Sequence, residues 1–124
     1  MSFVRGIRGA ITVKNNELGD IIEATKELLK KIQEKNKLNI EDINSIIFSV
    51  TNDLNAVFPA QAAREMGWNS VPLLCTMEIP VPGSLKKCIR ILMQVNTDRE
   101  QAEMVPVYLR DAVKLRPEHN GEQQ

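Results

Sequence analysis

At 124 residues, with 16 lysines and arginines against 16 aspartates and glutamates, the chain carries no formal net charge at pH 7. No global field argues for nucleic acid or a membrane surface as partner, and no apolar stretch approaches the length of a membrane span. The length suits one domain, assigned to residues 1–116 with 117–124 as a flexible tail, and aromatics are only 4%, so Ile, Val, Leu and Met must build the core.

The opening Met1-Ser2-Phe3-Val4-Arg5-Gly6 has no long apolar run behind it, which argues against a secretory leader and for the cytoplasm. Residues 3–13 then alternate as a strand on which Arg8 shares a face with Val4, Gly6, Ala10 and Thr12. Small neighbours around a long basic side chain read as the floor of a ligand pocket. The alternative is a glycine-containing strand packed closely under a helix.

The clearest helix follows over 17–35, with Leu18, Ile21, Ile22, Thr25, Leu28, Leu29 and Ile32 on one stripe. Asn15 or Asn16 is expected to cap it, and Glu27 to pair with Lys31 on its surface. A turn over 36–39 leads to a buried strand over 45–51. Pro59 starts a second, short helix that Gly67 stops. Strands over 71–79 and 85–95 flank the loop Pro80-Val81-Pro82-Gly83-Ser84, which the prolines keep out of the sheet. Residues 105–108 lead into a helical turn near 109–113, and residues 117–124 have almost nothing to bury. Strands interleaved with helices give an α/β class, here a mixed α+β sheet with helices on one face. The other face is left for a neighbouring subunit.

Cys75 and Cys88 both lie in apolar segments, as expected of buried, reduced thiols. The one histidine, His119, sits near the end of the polar tail and leaves no four-ligand set for zinc, so no metal and no cofactor are expected. The same position argues against Ser–His or Cys–His catalysis. Arg5-Gly6-Ile7-Arg8-Gly9 lacks the spacing of a dinucleotide fingerprint.

The most telling residue is Arg90. It lies on the strand Leu85-Lys86-Lys87-Cys88-Ile89-Arg90-Ile91-Leu92-Met93-Gln94-Val95, sharing a face with Cys88, Leu92 and Gln94. A guanidinium there loses hydration at a cost of several kcal/mol, approximately, unless an anion pairs with it. Glu78, twelve residues earlier, is one candidate if the two strands are neighbours; a ligand carboxylate is the other. With Arg8, Arg64 and Arg116 also in suggestive settings, the arginines favour a ligand with more than one carboxylate. Arg99 and Arg110 lie in polar contexts and read as surface residues, and Arg5 has the opposite strand parity to Arg8. Charges held in place, rather than an activated nucleophile, are the chemistry to expect.

Several segments stand in order: Arg5-Gly6-Ile7-Arg8-Gly9-Ala10, Asp53-Leu54-Asn55-Ala56-Val57-Phe58-Pro59-Ala60, Ala63-Arg64-Glu65, Val71-Pro72-Leu73, Met77-Glu78 and Gly83-Ser84-Leu85-Lys86-Lys87-Cys88-Ile89-Arg90. Tyr108-Leu109 and Leu115-Arg116-Pro117 complete the series. Together they closely resemble the monofunctional bacterial chorismate mutases of the AroH class, over nearly the whole chain. The resemblance implies a homotrimer with a barrel-like α/β core, active sites at subunit clefts, chorismate as substrate and prephenate as product. It also implies that Arg90 meets the breaking ether oxygen and a carboxylate, that Arg8 binds a carboxylate, and that Tyr108 hydrogen-bonds nearby. Glu78 and Cys75 would meet the ring hydroxyl. Phe58, Ala60, Leu73 and Leu74 would line the pocket with Leu115, while Arg64 and Arg116 add outer positive charge. Gln61 stands where that family often has lysine. Cys75 and Glu78 have opposite strand parity, so both face one ligand only if the chain bends or bulges between them, or if the strand ends before Glu78. A non-catalytic trimeric dicarboxylate-binding regulator and an imine deaminase of the reactive-intermediate deaminase family are the alternatives. The set Arg8, Glu78, Arg90 and Tyr108 with its flanking motifs favours the mutase.

Overall fold

The structure, a computed structural model, describes residues 2–116; the expected tail lies outside the described residues. The elements in chain order are β1 (Phe3–Thr12), α1 (Leu18–Asn36), β2 (Ile43–Val50), α2 (Ala60–Glu65), β3 (Leu73–Met77), β4 (Cys88–Thr97) and β5 (Val107–Leu109). Tight 3-10 turns occupy Ile40–Asp42, Gln101–Glu103 and Arg110–Leu115. The strands make one mixed sheet in the order β3-β2-β4-β1-β5. β4 is antiparallel to both β1 and β2, while β3 runs parallel to β2 and β5 parallel to β1.

Period two divides the sheet. Ile7, Ile11, Ile46, Phe48, Ile89, Ile91, Met93 and Val95 face the helices and are at most 3% exposed. Against them α1 lays Ile21, Ile22, Thr25, Leu28, Leu29 and Ile32, from the stripe predicted by the 3.6-residue period, together with Ala24. Leu18, at the first position of α1, is exposed instead. Gly9 lies on this face: a Cβ there would come within 2.7 Å of Ile32 Cδ1 and 3.3 Å of Leu28 Cδ1. Gly9 therefore belongs to close packing under a helix. Arg8, one residue earlier, points the other way.

Four expectations change. β3 and β4 are not neighbours, because β2 runs between them. The segment after 105 includes a true strand, β5, and its 3-10 turn extends to Leu115. Neither Asn15 nor Asn16 caps α1; Glu17 holds that position without a side-chain cap bond. The Asn16 oxygen instead accepts the N–H groups of Asn55 and Ala56 at 2.9 and 3.1 Å, tying the loop ahead of α2. Glu27 bonds Arg110 at 2.9 Å rather than Lys31, whose carboxylate contact is Glu34 at 3.6 Å.

Asn36 is not singled out in the sequence. Fully buried at the end of α1, it donates to the carbonyls of Ile32 and Val105 and accepts the N–H of Val105 at 2.8 Å. Arg99, read as a surface residue, donates to the Asn36 carbonyl at 2.6 Å and so fastens the helix end to the chain after β4. Arg5 donates to the Arg99 carbonyl at 2.9 Å, which accounts for its parity.

Candidate active site

The sheet register sets the site. Paired residues on neighbouring strands point to the same face. One row across the open face therefore runs Thr76 (β3), Ser49 (β2), Arg90 (β4), Ala10 (β1) and Tyr108 (β5). The next row holds Leu74, Ile47, Leu92 and Arg8. Strands stand about 4.8 Å apart, so the small Ala10 leaves a hollow between the guanidinium of Arg90 and the ring of Tyr108. Arg8, diagonal to Arg90, lies on its border.

Glu78 follows the end of β3, where its N–H donates to the Val50 carbonyl at 2.8 Å. Its parity is that of Thr76, so its carboxylate reaches over β2 to the same row. There Glu78 Oε2 accepts from Ser49 Oγ at 3.2 Å and stands 3.1 Å from Arg90 Nε. The Nε contact lacks the alignment of a hydrogen bond and is a charge contact. The two side chains are 20% and 16% exposed, which places the pair between the surface and interior regimes of ion-pair energetics.

The hollow is the base of a cleft of about 980 Å³. Arg8, Ser49, Thr51, Glu78, Arg90 and Tyr108 supply polar groups, Leu115 and the loop after Glu78 supply walls, and Lys86 and Lys114 add cations. Tyr108 is buried with Ala10, Cys88 and Ala112 in a small cluster, flanked by Leu85 and Leu115, under the site. Burial pushes the Cys88 thiol up to about 11, with Arg90 opposing, so at neutral pH it is an uncharged packing group. Arg110, read as a surface residue, is exposed but fixes the turn that carries Leu115. Its own φ is positive (55°), and it bonds the Thr12 carbonyl at 3.1 Å and Glu27 at 2.9 Å.

Of the residues singled out in the sequence, Arg8, Glu78, Arg90, Tyr108 and Leu115 thus line one cleft. Phe58, Ala60, Arg64, Leu73, Leu74 and Cys75 gather on α2, β3 and the approach to α2 and do not line it. No bend interrupts β3, but the strand ends at Met77, before Glu78: Cys75 pairs with Phe48 and turns to the helix side, while Glu78, just past the strand, lies on the other. The Cys75 thiol is raised by burial, against the opposing pull of the Ala60 backbone and Arg64, which puts it beside α2. Phe58 and Leu74 are 69% and 60% exposed. Arg116 follows the last 3-10 turn, half-buried, with its N–H on the Val113 carbonyl at 3.2 Å. Ser49, Thr51, Lys86 and Lys114 are cleft residues that the sequence pattern alone does not single out. Assigning parity to β2 would have found Ser49.

Comparison with known proteins gives a consistent picture. Residues 4–119 match the family model described as chorismate mutase type I. The chain is 52% identical to the chorismate mutase AroH of Thermus thermophilus over 116 residues, spanning 93% of this chain and 95% of that one. It is 49% identical to the chorismate mutase AroH of Bacillus subtilis over 116 residues, 93% of this chain and 91% of that one. Among solved structures, a chorismate mutase from Clostridium thermocellum superposes with a TM-score of 0.87 at 55% identity, covering 89% of this chain and 98% of that one. By sequence and by fold, the chain belongs to the type I chorismate mutase family.

Proposed function

We propose that this protein converts chorismate to prephenate in aromatic amino-acid biosynthesis, and that Arg90 and Glu78 are its catalytic pair. Family membership carries the reaction, and the observation that carries the mechanism is the Arg90 guanidinium, mostly buried and held by Glu78 at the base of a cationic cleft. The rearrangement is pericyclic: an ether C–O bond breaks as a C–C bond forms, with no proton transfer and no covalent intermediate. Negative charge grows on the ether oxygen and positive charge on the ring. A cation already in place at that oxygen stabilises the transition state more than the substrate; losing such a donor costs about 3–4 kcal/mol.

Arg90 takes the ether oxygen and a substrate carboxylate. Arg8 binds a carboxylate and Tyr108 hydrogen-bonds beside it. Glu78 accepts from the ring hydroxyl near the developing positive charge, with Cys75 as a second contact. Holding the substrate in its compact, chair-like conformer adds a positioning contribution. Because Phe58, Ala60, Arg64, Leu73, Leu74 and Cys75 stand apart from the cleft of their own chain, they close the cleft of a neighbouring copy in a homotrimer. The exposed Phe58, Leu74, Met77, Ile79, Val81 and Leu92 support such an assembly, since burial against another subunit would remove this apolar surface from water. Arg64 and Arg116 add positive charge at the rim. The enzyme works in the cytoplasm.

The test is incubation of the purified protein with chorismate, following its loss and the formation of prephenate. Turnover well above the spontaneous rate is expected; a rate equal to the spontaneous one ends the mutase reading.

A further inference from the structure

Lys87 is a non-glycine residue with positive φ (49°), three positions before Arg90. A lysine resists that conformation because its Cβ crowds the backbone, so neighbouring contacts must hold it there. The contacts are specific. The Lys87 N–H donates to both carboxylate oxygens of Asp53, at 3.2 and 3.0 Å, and its carbonyl accepts from Val13 N–H at 2.8 Å. Thr51 Oγ donates to Asp53 Oδ1 and accepts the Cys88 N–H at 3.0 Å. The Thr51 N–H closes the ring on the Cys88 carbonyl at 3.1 Å.

Asp53 therefore ties the end of β2 to the start of β4, at the point where the cleft-lining loop over 78–86 returns to the sheet. Asp53 itself does not line the cleft. We propose that Asp53 is a positioning residue for Arg90: through Thr51 and the Lys87 and Cys88 amides it fixes where β4 begins, and hence where the guanidinium stands. The proposal rests on the mutase reading for its kinetic consequence and on geometry alone for its structural one. Without the carboxylate, the left-handed Lys87 loses its support and can revert to negative φ, which re-aims the residues that follow. A displacement of about 1 Å at a reacting group is enough to cost on the order of a hundredfold in rate.

The experiment compares Asp53→Ala, Asp53→Asn and the double variant Asp53→Ala/Lys87→Gly with wild type, each assayed well below its own melting temperature. Asp53→Ala should lose about 10- to 100-fold in kcat with KM nearly constant, because Arg90 acts on the transition state. Asp53→Asn keeps one acceptor oxygen and should fall in between; it carries the test if the alanine variant does not fold. Glycine at 87 accepts positive φ without cost and should restore part of the lost kcat, a rescue that a merely stabilising aspartate would not show. Hydrogen exchange of the Cys88 amide should quicken at least tenfold in Asp53→Ala. A kcat within twofold of wild type in both aspartate variants overturns the proposal. If wild type itself does not turn over chorismate, the mutase reading falls, and unchanged Cys88 exchange then overturns the positioning role separately.

Discussion

The two faces of the sheet are built from the same strands and behave as different materials. On the helix side, Ile89, Ile91, Met93 and Val95 of β4 meet α1 and α2 in a closed apolar layer. On the other side, the alternate residues Cys88, Arg90, Leu92 and Gln94 carry a charge, a buried thiol and an exposed leucine. One face is fixed by packing density, the other by register: the ladder puts Ser49, Arg90, Ala10 and Tyr108 in one line. A residue's parity should therefore decide whether its loss is felt in stability or in rate.

The largest effects should fall cleanly to either side of that division. Phe48→Ala, from the centre of the helix-side layer, should cost about 3–5 kcal/mol of stability, measured by denaturant unfolding. The fraction that remains folded should keep its kcat. Arg90→Lys should instead leave the unfolding midpoint nearly unchanged and lower kcat by about two to three orders of magnitude, since a point charge does not reproduce the guanidinium fork. Near-wild-type kcat in the lysine variant would remove Arg90 from the mechanism. A large midpoint shift would mean that the Arg90–Glu78 pair is a stability element after all.

Cys88 tests the division from within, because it lies on the site face yet is 1% exposed. Its thiol pKa, about 11 when folded against an ordinary value of 9.0, favours the neutral form in the native state. The unfolded chain ionises first, so the contribution is fully present below about pH 9 and is lost as pH rises toward about 11. The difference between those two pKa values sets a ceiling of about 3 kcal/mol on the stability at stake. The measurement is the difference between wild type and Cys88→Ala. The wild type should lose more stability between pH 9 and 11. Parallel pH profiles would show that burial does not govern this thiol.

Much of this was legible from sequence because period and parity are local properties. The α1 stripe, the alternation of β1 and β4, and the parity of Arg8 and of Arg90 within their own strands needed no tertiary knowledge, whereas their sharing one face of the sheet is set by the β1–β4 register. The errors arose where a partner is distant in sequence. β2 comes between β3 and β4, and Asn16, apt as a helix cap, binds the backbone of residues 55 and 56 instead. Arg99 and Asn36 sit 63 residues apart, and nothing in either polar neighbourhood signals their contact. The left-handed Lys87 is illegible for the same reason: a sequence offers glycine as the sign of positive φ, and here hydrogen bonds to Asp53 take its place. Of the four arginines singled out in the sequence, Arg8 and Arg90 mark the cleft and Arg64 and Arg116 do not line it, while its lysines read as ordinary surface charge.

Those lysines give the smallest and most discriminating prediction. Lys86 and Lys114 line the cleft with Arg8 and Arg90, against a single cleft-lining carboxylate, Glu78, among the described residues. Lys114 is exposed at the end of the turn that places Leu115, so its charge is screened by salt over about 10 Å at 0.1 M. Gln61, at a position where a lysine would add rim charge, is instead bonded along α2 to Glu65 at 2.9 Å. On the proposed function, Lys114 is an exposed cation of this cleft that would attract a dianionic substrate. Lys114→Met should raise KM about threefold to tenfold at low ionic strength, leave kcat within about twofold, and lose its effect near 1 M salt. A fall in kcat at constant KM would place Lys114 with Arg90, at the transition state, and the division by parity would then need a catalytic group contributed from outside the strands.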